Sequence, residues 1–197
     1  MKYHNITKAD MLNGEGLRVV LWTSGCSHKC PGCHNAVTWN KDDGLIFDDA
    51  AKKEIFDELD HDWCSGLTLS GGDPLFPESR EVIASLVKEV KEKYPNKTIW
   101  CYTGFIWEEL IPQMDKDNNL KDIINNIDVL LDGKFVLRLA LEKLQYVGSS
   151  NQNIIDVKKS LELDKKVLYI DNNKWLEGEE VWDKEDLKLL KDGKIRG

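Results

Sequence analysis

No stretch of this sequence approaches the roughly 18 to 20 consecutive apolar residues that a membrane-spanning helix needs. The opening residues 1–16, MKYHNITKADMLNGEG, lack the apolar run of a secretory signal. No block of lysine and arginine stands out, and the formal net charge is −8. Phosphate binding requires a basic surface, so the charge balance weighs against nucleic acid as the main partner. A disulfide framework is missing too: the five cysteines are an odd number, and three fall within the eight residues 26–33. No internal repeat or low-complexity segment interrupts the chain. These absences lead to the expectation of a cytoplasmic protein with no membrane and no nucleic-acid partner.

What is present suits an ordinary globular fold. At 197 residues, 41% hydrophobic and 31% charged, the chain can bury a substantial core. Short β-like runs at 18–24, 66–70, 98–103 and 128–131 alternate with helical patterns, which predicts an α/β fold with a mainly parallel sheet. Asp48 is placed to cap a helix with Ala51, Ile55 and Leu59 on one face. A second helix sets Val82, Ile83, Leu86, Val87 and Val90 on one stripe, with Arg80, Glu81, Lys88, Glu89 and Lys91 on the other, and ends at Pro95-Asn96. Further helices are expected around 107–111 and 120–126.

Three of the strands run into small or acidic clusters: Ser24-Gly25-Cys26, Ser70-Gly71-Gly72-Asp73 and Leu131-Asp132-Gly133. In α/β folds the ligand site gathers at the carboxyl ends of the strands, so these clusters mark it. The periodicity weakens after about residue 155. We therefore divide the chain into a domain of residues 1–155 and an extension, 156–197, packed on it. In the extension, 166–170 reads as a strand, 171–173 as a turn, and 184–197 as a charged helix or tail.

Cys26, Cys30 and Cys33 form a C-x3-C-x2-C run on the loop after the first expected strand. Thiolates are the usual ligands of iron–sulfur clusters, and three ligands for four irons leave one iron open. An open metal position is a reactive one. Structural zinc is the competing reading, with His28 or His34 as a fourth ligand, but no fourth ligand stands at a customary spacing. Three unrelated core cysteines fit the spacing less well, and the cluster is preferred. Cys64 and Cys101 read as small buried hydrophobes. Trp22, Trp63 and Trp100 read as packing, and Trp107 or Trp175 as candidates for a partner interface.

The cysteine loop resembles the signature of the radical S-adenosylmethionine superfamily. The longer string, from Asn13-Gly14-Glu15-Gly16 through the cysteines to His34-Asn35 and Thr38-Trp39, resembles anaerobic ribonucleotide reductase activating proteins. So do Leu69-Ser-Gly-Gly-Asp-Pro-Leu75, Tyr102-Thr-Gly104, Leu131-Asp-Gly-Lys-Phe135 and Gly148-Ser-Ser-Asn-Gln152. That resemblance implies an incomplete TIM-like (βα) barrel, a 4Fe-4S cluster on Cys26, Cys30 and Cys33, and bound S-adenosylmethionine. It implies that an electron from the cluster cleaves the sulfonium and that the 5′-deoxyadenosyl radical takes hydrogen from a glycine. That glycine belongs to the glycyl-radical loop of the reductase large subunit, and a flavodoxin-like protein donates the electron.

By the same resemblance Gly71, Gly72 and Asp73 meet the methionine amino group, Asp73 offsetting its charge. The stretch Gly32, Cys33 and His34 runs beside the adenine, where no aromatic precedes the third cysteine. His34 either stacks on the base or faces solvent, and Asn35 either fixes the loop or bonds the ligand. Thr103, Asp132 and Lys134 contact the ribose or carboxylate, although Lys134 equally fits a pairing with Asp132 or a surface salt bridge. Ser149, Ser150 and Asn151 match the family but also fit a plain turn. Other functions remain in view: an activator of pyruvate formate-lyase or another glycyl-radical enzyme, a small-molecule enzyme such as one making a deazapurine, or a zinc or iron–sulfur binding module without activity.

Overall fold

Residues 1–172 are described by a computed structural model. Along the chain come β1 (Lys2–Asp10), β2 (Leu17–Thr23), β3 (Leu45–Ile46), α1 (Asp49–Leu59), β4 (Cys64–Gly71), α2 (Arg80–Lys93) and β5 (Thr98–Tyr102). They are followed by α3 (Trp107–Leu110), α4 (Asn118–Asn126), β6 (Val129–Asp132), β7 (Asn153–Asp156), α5 (Val157–Glu162) and β8 (Leu168–Ile170). The strands form one sheet in the order β3-β1-β2-β4-β5-β6-β7-β8.

β2, β4, β5 and β6 pair in parallel, and every pairing outside them is antiparallel. The expectation of a mainly parallel sheet is corrected accordingly: the sheet is mixed and parallel only in its middle. The physical reason lies in the connections. Parallel neighbours need a crossover, and α1, α2 and α4 supply three; where the chain lacks a crossover helix, as between β1 and β2, it returns antiparallel.

The four central strands were legible because both of their faces are buried. Val19, Leu21, Leu67, Leu69, Ile99 and Leu130 are all wholly inaccessible, and such strands read as continuous apolar runs. On one face they pack with Ile55, Leu59, Ile83, Val87, Leu120 and Ile124 from α1, α2 and α4. Each such side chain contributes roughly 1.5–3 kcal/mol on burial. Trp100, Val129, Leu131, Val147 and Ile154 form a smaller cluster.

Helix ends follow the sequence chemistry. The Asp48 carboxylate accepts from the Ala51 N–H at 3.0 Å and starts α1. Asp117 does the same for α4, accepting from Leu120 at 2.9 Å. The placing of Arg80 on the polar stripe is corrected. It is buried, donating to the Leu75 carbonyl at 2.8 Å and to Asp117 at 2.7 Å, so it ties α2 to the start of α4.

Cys64, Cys101 and Trp100 are buried as expected. Trp63, read as packing, is exposed and stacked on His61 with ring centres 5.0 Å apart. Trp107, considered for a partner surface, is buried. Trp175 and residues 184–197 lie outside the described residues. The segment 166–170 does supply β8, which pairs with β7. Among the described residues no helix is long and apolar enough to cross a membrane.

Candidate functional site

All four parallel strands deliver their carboxyl ends to one side of the sheet, and the chain leaves each of them through a tight turn. A cavity of about 400 Å³ opens there. Its walls include Cys26, Cys30, Cys33 and His34 from the loop after β2, Gly71 and Gly72 from the end of β4, Thr103 after β5, and Lys134 after β6.

The cysteine loop is shaped by its backbone. Lys29 and Gly32 take left-handed φ values of 47° and 76°, and the Cys33 N–H closes a turn on the Cys30 carbonyl at 3.1 Å. At the base of the loop, Gly25 and Cys26 donate to the carbonyls of Thr38 and Trp39. All five cysteines are free thiols, and the three loop cysteines are half-buried. Burial pushes the Cys26 thiol above its ordinary range, and the Asp73 charge adds to the rise. Burial likewise raises Cys30, while the Lys134 charge pulls the other way. Thiols held protonated by burial become strong ligands once a metal displaces the proton.

Among the described residues no three His, Cys, Asp or Glu side chains converge as ligands of a single bare ion. The three sulfurs instead share the wall of a roomy cavity, an arrangement that suits a polynuclear cluster better than zinc. His28, a candidate fourth zinc ligand, is engaged elsewhere: its Nε2 lies 2.7 Å from the Asp73 carboxylate.

Gly71 and Gly72 are required by packing. Gly71 has φ near +101°, and a Cβ there would stand 2.6 Å from the Thr23 backbone; one on Gly72 would stand 2.5 Å from the Gly25 carbonyl. The end of β4 therefore lies directly against the base of the cysteine loop, with Gly72 donating to Thr23 and Asp73 to Gly25, each at 2.8 Å.

The remaining site residues divide. Asp73 does not line the cavity. It is 1% exposed, and its carboxylate accepts from the Leu75 N–H, the Thr103 hydroxyl, the Gly104 N–H and His28. These four donors hold it behind the cavity wall. Asp132 is also wholly buried, accepting from the Trp107 N–H at 2.8 Å and the Asn153 amide at 2.7 Å, and burial raises its pKa. It joins α3 to β7 and does not line the cavity. Gly32 lies outside the walls too, packed on Leu137. Lys134 is exposed and makes no ion pair with Asp132 among the described residues.

The Gly148–Gln152 string forms a turn that braces this exit loop. The Gln152 amide donates to the Gly133 carbonyl and Asn151 to that of Lys134, while Ser149 is buried and accepts from the Val136 N–H.

Sequence reasoning missed three groups of residues here. Trp22, Tyr102 and Tyr146 form an aromatic part of the wall. Asn13, also on the wall, has its carbonyl held by the Thr68 hydroxyl at 2.8 Å. That hydroxyl accepts in turn from Arg18, a buried guanidinium that also donates to Thr98 and to the carbonyls of Glu15, Leu67 and Thr98. Burial lowers the Arg18 pKa to about 10, so it stays charged at neutral pH. His28 is the third. Only the crowding of histidine and cysteine in the loop could have marked it.

Residues 12–155 match the family model described as a 4Fe-4S single cluster domain. An anaerobic ribonucleoside-triphosphate reductase-activating protein of Enterobacteria phage T4 is 42% identical over 154 residues, covering 78% of this chain and 93% of that protein. Proteins of the same name from Haemophilus influenzae and Escherichia coli K12 are each 40% identical, over 156 and 155 residues. Those matches cover 78% and 77% of this chain, and 97% and 96% of the relatives.

Proposed function

The chain belongs to the anaerobic ribonucleoside-triphosphate reductase-activating proteins, built on a 4Fe-4S single cluster domain, and from that premise we propose that it activates such a reductase by cleaving S-adenosylmethionine. Cys26, Cys30 and Cys33 would hold three irons of the cluster. When bound, the cluster would supply one electron to the sulfonium, so that methionine would leave and a 5′-deoxyadenosyl radical could take a hydrogen atom from a reductase glycine. The observation that carries this reading is the meeting of the three thiols with Gly71, Gly72, Thr103 and Lys134 in one cavity at the strand ends.

The chain's own residues bind, orient and enclose. Gly71 and Gly72 present bare backbone, which lets a ligand approach without a Cβ in the way. Lys134 offers a cation to the methionine carboxylate, and Thr103 carries a hydroxyl already oriented by Asp73. His34 and the wall formed by Trp22, Tyr102 and Tyr146 offer flat surfaces to the adenine. Gly32 and Cys33 carry the adjoining backbone. Enclosure matters because the electron must reach the sulfonium before solvent or oxygen takes it.

Several finer features belong to the same proposal. The four parallel strands would be the core of an incomplete (βα) barrel. Residues 156–197 would form an extension on the domain of residues 1–155, in keeping with the pairing of β8 to β7. The reductase large subunit would present its glycyl-radical loop at the cavity, a flavodoxin-like protein would donate the electron, and free thiols suit the reducing cytoplasm. The test is to mix the anaerobically reconstituted protein with an anaerobic ribonucleotide reductase, reductant and S-adenosylmethionine, and record electron paramagnetic resonance. A glycyl radical on the reductase is the expected result; its absence while S-adenosylmethionine is cleaved would remove the reductase as partner.

A further inference from the structure

The loop between Cys26 and Cys30 carries one buried side chain, His28, which borders the cavity but whose hydrogen bond runs to the strand ends. The His28 side chain is 7% exposed, and its Nε2 lies 2.7 Å from Oδ2 of Asp73, whose side chain is 1% exposed. A carboxylate only accepts, so Nε2 carries the proton and donates. Among the described residues this is the one hydrogen bond from a side chain of residues 27–32 to the ends of β4 and β5. The imidazole is also held by shape. It packs edge-on against Phe105 with ring centres 4.6 Å apart, and the Arg80 guanidinium lies 5.8 Å from the Phe105 ring.

Gly104 completes the seat. Its φ lies outside the left-handed region, so φ by itself does not call for glycine there. A Cβ at this position would nevertheless overlap the His28 ring. Room for the imidazole therefore accounts for the glycine. Asp73 is fixed from the other side by Leu75, Thr103 and Gly104, so the acceptor cannot follow the loop if the loop moves.

We propose that His28 is a positioning residue that latches the cysteine loop onto Asp73, giving the loop its shape before iron arrives, with Gly104 as the space the latch requires. The inference deepens the proposed function and rests on it only for the identity of the metal group. In cluster assembly the latch would reduce the ordering that the cysteines must undergo when iron binds.

The test compares His28→Ala, Gly104→Ala and the double variant. Amide hydrogen exchange in residues 26–33 of the iron-free protein is measured under anaerobic conditions. Each single variant should speed exchange there by on the order of tenfold or more, the loss expected for a hydrogen bond to a charged group. Protection in β4 and α2 should be unchanged, which separates loop release from unfolding. The double variant should be no worse than His28→Ala alone, because a Cβ at 104 has nothing to displace once the imidazole is gone.

Unchanged exchange in His28→Ala, a harmless Gly104→Ala, or additive effects would each overturn the proposal. After reconstitution, both single variants should hold less iron per chain and show a shifted cluster potential. Wild-type protein with the expected exchange pattern but no S-adenosylmethionine cleavage would sink the proposed function and leave the latch standing.

Discussion

Arg18 is the side chain whose loss should be felt most widely. It is wholly buried without a carboxylate partner among the described residues, yet its donors reach three backbone carbonyls and two threonine hydroxyls. Its guanidinium also lies 5.4 Å from the centre of the Trp100 ring. Arg18→Lys keeps the charge but offers three rotating donors for a rigid fork of five. Buried acceptors are then left unpaired at a cost of roughly 1–3 kcal/mol each. We expect the unfolding free energy from chemical denaturation to fall by several kcal/mol, and the Asn13 loop at the cavity to loosen with it. A variant as stable as wild type would show that water replaces the lost donors. None of this was legible in the sequence, where Arg18 is one charged residue at the head of an apolar run. A buried cation served by carbonyls leaves no spacing rule, because four of its five acceptors lie 49 to 80 residues away.

Between elements, Asp128 does the joining just before β6. Burial opposes its ionisation, but Lys158 from α5, Lys91 from α2 and the Ile99 N–H from β5 outweigh that and hold its pKa below the ordinary carboxylate value. A carboxylate with a depressed folded pKa adds stability above its unfolded value of about 3.9, and loses it as pH falls through the lower folded value. Asp128→Asn should therefore cost about 1–3 kcal/mol at pH 7, and the gap from wild type should close below about pH 4. Denaturation curves at the two pH values check this; a gap independent of pH would show that the charge contributes nothing. Elements were legible where burial is two-sided or a helix is amphipathic. β2, β4, β5, α1 and α2 stand close to their expected places. β1 was not foreseen because KYHNITKAD is mostly polar, with only Tyr3 and Ile6 buried, and pairing with β2 and β3 holds it in the sheet. β7 escaped notice because four residues carry no readable period.

At the scale of the whole molecule, the parallel centre of the sheet decides where chemistry can happen. Four strands in register bring segments from residues 26, 71, 103 and 134 to one cavity, although they are spread over more than a hundred residues. The sequence marked those four places through their glycines, cysteines and strand-end turns. It could not say which side chains face inward: Asp73 and Asp132 turned out to be internal fasteners, while His34, Thr103 and Lys134 reach the cavity. The cysteines alone combine a readable spacing with a place on the wall, so the central claim stands on them. The most direct measurement is iron content together with reductant-dependent 5′-deoxyadenosine release after anaerobic reconstitution, for wild type and for Cys26→Ala, Cys30→Ala and Cys33→Ala. The wild type should bind about four irons per chain and release 5′-deoxyadenosine, and each variant should lose release by at least about a hundredfold. Full release from any single variant, or a wild type that takes up zinc and cleaves nothing, would contradict the account.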